Sequence, residues 1–125
     1  MTEDEVGNFR KLQPKMRSTY NEISLLSKKN PNDAVNVFKL QLINKMLAQA
    51  NAVLSDERRP FEDFESFSEE SLPTTSDVVF VLSPYLTALE RLRCDNIENG
   101  GLGEWYWKID GKMNRELKAN GPTLV

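Results

Sequence analysis

Residues 31–54, PNDAVNVFKLQLINKMLAQANAVL, limit the fold most tightly, because apolar side chains cover more than half the circumference of a helix built from them. With Val35 at zero and about 100° per residue, Phe38, Leu42, Met46, Val53, Ala50, Ile43, Leu54, Leu47 and Leu40 fall within an arc of about 200°. Asn44, Gln41 and Lys45 lie opposite. A helix packed on one side needs a stripe of only about 100°. The segment is therefore predicted to touch at least two neighbours and to act as the buried spine of a bundle. Asn30 offers an N-cap oxygen, Pro31 suits the first helical position, and Asp33 complements the positive end of the helix dipole.

Two further helices supply neighbours. Phe9, Leu12, Met16, Tyr20, Ile23 and Leu26 share one face, which predicts a helix over 9–28 behind a frayed acidic leader at residues 1–8. Pro14 falls on the solvent side, where it either kinks that helix or marks its start. Ser76-Asp77 opens a third helix over 76–97, with Val78, Leu82, Tyr85, Leu86, Leu89 and Leu92 in one arc. VVFVL could be a strand before Pro84, but it lacks period-2 alternation, which favours one helix kinked at Pro84.

Residues 104–119 carry two patterns. Trp105, Ile109, Met113 and Leu117 recur every four residues before the stop signal Asn120-Gly121-Pro122. Yet Trp105, Trp107 and Ile109 alternate, and Asp110-Gly111 is a hairpin turn pair, so 104–109 also reads as a strand. A lone two-stranded ribbon is marginal, which favours a short C-terminal helix. The expected fold is an all-α bundle of helices at about 9–28, 31–54 and 76–97 plus a shorter one at 104–119. It is expected to be a single domain over 1–125, with frayed termini and an acidic, phenylalanine-bearing loop at 55–75.

The 125-residue chain has no histidine and a single cysteine, Cys94. That excludes Ser-His-Asp and Cys-His catalysis, thiolate-rich metal centres and an intramolecular disulfide within this chain. Cys94 lies near a helix C-terminus, where the dipole disfavours a thiolate. The acids of the 55–75 loop match no EF-hand register, and NGGLG matches no phosphate-cradling motif. No cofactor and no metal are expected. The longest apolar run, Val78 to Leu82, is far below the roughly 20 residues of a membrane span, and the acidic N-terminus has no signal-peptide layout. A cytoplasmic protein without membrane association is expected.

Charge is segregated. Between Phe9 and Gln49 stand eight basic residues and two acids, whereas Asp56–Asp77 holds eight acids and two arginines. Phe61, Phe64 and Phe67 are candidate protein-interaction residues, or staples holding the loop on the bundle. Trp107 joins them as a partly exposed contact residue, with Trp105 sealing the core. The function expected is a non-enzymatic, self-associating protein-interaction module. The alternative is a nucleic-acid-associated protein using the basic N-terminal hairpin through Lys11, Lys15, Arg17, Lys28 and Lys29, because clustered cations release phosphate counterions. A weaker reading makes the acidic loop a polyanion mimic.

Overall fold

A computed structural model describes residues 1–123. Helices α1 (Glu3–Lys29), α2 (Val37–Val53) and α3 (Thr75–Asp95) precede strands β1 (Ile97–Asn99), β2 (Trp105–Ile109) and β3 (Lys112–Ala119). The strands form one antiparallel sheet in the order β1-β2-β3. The fold is therefore α+β, which overturns the expected all-α helical bundle and its C-terminal helix at 104–119.

The hairpin signal prevails over the four-residue recurrence for two reasons. Asp110 and Gly111 take φ of +50° and +81°, the left-handed pair that a two-residue hairpin turn requires. The ribbon is also not alone, because β1 pairs Ile97 with Trp107 and Asn99 with Trp105. Register shifts between Tyr106 and Lys108, where Trp107 alone on β2 faces residues 114–117 of β3, so the extra residues of the irregularity lie on β3. Trp107 is only 3% exposed and meets Phe9 of α1 edge-on, with ring centroids 5.4 Å apart. The expected roles of the two tryptophans are thus reversed: Trp107 is buried and Trp105 only half-buried. Tyr106 lies under the Arg115 guanidinium, 5.4 Å from the ring centroid. It also presses on Gly100, where a Cβ would meet its ring at 2.5 Å.

Helix α1 begins at Glu3, six residues before the predicted start, so residues 1–8 are not a frayed leader. Glu5 N–H donates to Thr2 Oγ1 (3.2 Å) and Thr2 N–H to the Glu5 carboxylate (2.9 Å), a reciprocal capping box. Asp110 N–H donates to the Met1 carbonyl at 2.9 Å, tying the N-terminus to the β2–β3 turn. Pro14 sits inside the helix on its exposed side.

Helix α2 starts at Val37, not Pro31. Asn36 is its cap, accepting from Lys39 N–H at 2.8 Å. Residues 31–35 instead run beside the start of α3. Val35 N–H donates to the Pro73 carbonyl (2.9 Å) and Thr75 N–H to the Asp33 carbonyl (2.9 Å). These long-range bonds satisfy the backbone that a helix would otherwise have used, and they outweigh the local preference of Asn30-Pro31 for a helix start. The central element is α1, which packs against α2, α3 and β2. Helix α3 lies within two residues of its predicted bounds. Thr74 and Asp77 cap it reciprocally, and Pro84 is inside it. No helix among the described residues is long and apolar enough to cross a membrane.

Candidate interaction surface

Helix α2 has two covered flanks and one open face. The first flank is the acidic segment, which runs back along the helix. Asn44 and Asn51, seven residues apart and hence on one face, hold it there. Asn44 Nδ2 donates to the Phe67 carbonyl (2.9 Å), and Phe67 N–H donates to Asn44 Oδ1 (3.0 Å). Asn51 Nδ2 donates to the Glu65 carbonyl (3.2 Å), while its Oδ1 accepts from Tyr85 OH at 2.7 Å. Burial pushes the Tyr85 phenol pKa up despite the bond to Asn51, so it stays a donor.

Phe61, Phe64 and Phe67 form an edge-to-face row with centroids 6.0 and 5.0 Å apart. Phe61 also stacks on Phe80 and tilts onto Tyr85, at 6.4 Å in each case. All three rings pack half-buried against the core. The rings therefore turn inward, while Glu62, Asp63, Glu65, Glu69 and Glu70 remain exposed.

The second flank is α1. Met46 lies about 200° round α2 from Asn44, and its sulfur sits 3.7 Å from Thr19 Oγ1 of α1. Lys11 and Lys15 line a groove with Phe9, Leu12, Gln49 and Ala52. Past Lys15 and Gln49 it continues to Leu42, Lys45 and Met46. The basic candidates do not share one surface. Lys29 is 18 residues from Lys11, on the same strip about 27 Å further along. Arg17 and Lys28, 11 residues apart and hence on one strip, lie on another side of α1: Arg17 lines a groove with Trp107, and Lys28 lines one with Val79. Among the described residues, none of these five cations is in an ion pair.

Between the flanks Phe38 is 71% and Leu42 47% exposed. The sequence placed both in the buried arc. Two neighbours cover the far side of the helix, and the edge of the arc carrying Phe38 has none. The breadth of the arc was the available signal, since two contacts do not fill about 200°.

A second polar cluster was missed entirely. Glu90 and Arg93 are buried and paired at 2.7 Å. Glu90 Oε1 accepts from Arg93 Nε (2.8 Å) and Gln13 Nε2 (3.0 Å), and Oε2 from Thr123 N–H at 3.0 Å. Arg93 in turn donates to the carbonyls of Asn120 (2.6 Å) and Gly121 (2.7 Å). Burial alone would raise the Glu90 pKa, but the bonds from Arg93, Thr123 and Gln13 prevail and hold it at about 2. With its acceptor sites occupied, this carboxylate acts as a clasp joining the chain end to α1 and α3. Burial and the adjacent Glu90 push the Cys94 thiol pKa up, which opposes thiolate chemistry.

Compared with protein-family models, curated proteins and solved structures, the chain finds no match in any of the three.

Proposed function

We propose that this chain is a small, cytoplasmic, non-enzymatic protein-interaction module that docks its partner on the open face of α2. The observation that carries the reading is the exposure of Phe38 and Leu42, one turn apart on a helix whose other sides are covered. Burying such side chains contributes about 1.5–3 kcal/mol each, and adjacent large apolar groups left in water mark contact sites. The docking residues thus move from Phe61, Phe64, Phe67 and Trp107, which pack inward, to Phe38 and Leu42. The test is affinity capture from the native host, comparing the tagged chain with its Phe38→Ser/Leu42→Ser variant. A specific partner lost in the variant supports the reading. Equal capture by both chains, or a turnover activity abolished by a single substitution elsewhere, overturns it.

A second reading, association with nucleic acid, is supported by Lys11 and Lys15, which share one groove with no ion-pair partner among the described residues. A gel shift at low salt tests it, because phosphate-driven affinity is greatest there. Absence of binding at low salt removes the idea.

A further inference from the structure

The open face of α2 is bordered by opposite charges. On the α1 side, Lys11 and Lys15 rim the groove together with one acid, Glu5, and Lys45 of α2 itself continues the basic row. On the other side the docked segment presents Glu62, Asp63, Glu65, Glu69 and Glu70 to solvent. Hydrogen bonds from Asn44 and Asn51 fix its backbone at Glu65 and Phe67, in the middle of this run of carboxylates. Phe38 stands exposed near the middle of the face, beside Lys45, and Leu42 lies half-exposed in the groove with Lys15 and Met46.

We propose that the occupant of this face is a second copy of the same chain, related by a two-fold axis running along α2. The inference rests on the reading of the chain as an interaction module and names the partner. Rotation about an axis parallel to α2 exchanges left and right. It lays the lysine flank of each copy over the carboxylate flank of the other, and it brings the two copies of Phe38 together at the seam. An in-plane axis perpendicular to α2 would instead put lysine on lysine and carboxylate on carboxylate. The surface is thus self-complementary in one orientation, as a closed two-fold interface requires. Its size also fits. A 17-residue helix is about 25 Å long, and three elements each about 10 Å wide cover on the order of 750 Å², close to the roughly 800 Å² per partner of a stable interface.

The test is sedimentation velocity over a concentration and salt series. The expected result is a species of twice the 14.3 kDa chain mass, weakening as salt rises because the flank pairs are exposed and screened. Phe38→Ser/Leu42→Ser is expected to weaken association at least tenfold, with an unchanged circular dichroism spectrum because both side chains face water. Two charge-reversed variants make the decisive arm: Lys11→Glu/Lys15→Glu, and Glu62→Lys/Asp63→Lys/Glu69→Lys/Glu70→Lys. Each is expected to be monomeric alone, and an equimolar mixture is expected to dimerise.

A mixture that stays monomeric overturns the proposal, as does undiminished dimerisation of Phe38→Ser/Leu42→Ser. If the natural chain is monomeric throughout, yet capture of a host partner depends on Phe38 and Leu42, the second-copy inference fails and the interaction reading stands. If it is monomeric and captures nothing through this face, both fail.

Discussion

Asn44 grips Phe67 with both ends of its amide, donating to the carbonyl at 2.9 Å and accepting from the N–H at 3.0 Å. A short polar residue on α2 thereby closes a two-bond bridge to the backbone of the acidic segment. The Phe61–Phe64–Phe67 row packs against the core and keeps that bridge partly shielded from water.

Asn44→Ala removes both bonds and leaves two backbone groups of Phe67 unpaired. The expected cost is about 1–3 kcal/mol, and the local effect is larger than the global one. Hydrogen exchange should accelerate across residues 61–70 while α1 and α3 keep their protection. Uniform acceleration along the chain would show that the segment does not open as a separate unit.

Glu90 links stability to acid pH. Its pKa is about 2 in the fold against an ordinary 4.5, so folding is favoured wherever the carboxylate is ionised. The contribution is complete above about pH 4.5 and disappears as pH falls toward 2, amounting to about 3 kcal/mol. Urea unfolding at a series of pH values should show this loss. In Glu90→Gln the curve should be flatter below pH 4.5, and the protein weaker at neutral pH by about 3–5 kcal/mol because Arg93 is left buried without its partner.

Trp107 and Phe38 should behave oppositely on truncation. Trp107 is 3% and Phe38 71% exposed. Trp107→Ala is expected to cost about 3–5 kcal/mol by opening a cavity beside Phe9. Phe38→Ala should change the stability of the isolated monomer by less than about 0.5 kcal/mol. Thermal melts at low protein concentration separate the two effects.

Gly100→Ala places a methyl group 2.5 Å from the Tyr106 ring. Overpacking of this kind costs about 1–3 kcal/mol. The Tyr106–Arg115 contact should be disturbed with it, visible as altered exchange in β2 and β3. Gly101 has open space at its Cβ position but a φ of +100°, so alanine there should strain the backbone without touching Tyr106.

Helix α3 was legible because Val78, Leu82, Tyr85, Leu86, Leu89 and Leu92 repeat at helical spacing. The Thr2–Glu5 capping box was also present in the sequence, and passing over it truncated α1 to Phe9. At Asn30-Pro31 the local signal was strong and still lost, because Val35 and Thr75 pair with residues some 40 positions away. No window of sequence contains that bond. The Glu90–Arg93 clasp was hidden likewise: an acid and a base three residues apart normally sit on a solvated helix face, and only the arrival of Gln13 and residues 120–123 buries them.

What the sequence by itself determined was the set of chemistries within reach and the helical core. The absence of histidine, the lone cysteine and the apolar arcs of α1, α2 and α3 follow from residue identity and spacing. Tertiary structure decided the rest. Residues 104–119 satisfied two periods at once, and the choice fell to the sheet once β1 and Phe9 supplied the partners a ribbon lacks. The arc of α2 was wider than its neighbours could cover, and which edge stayed in water depended on where α1 and the acidic segment came to rest. Periodicity states how much surface a helix offers, whereas only long-range packing states how much of it is taken.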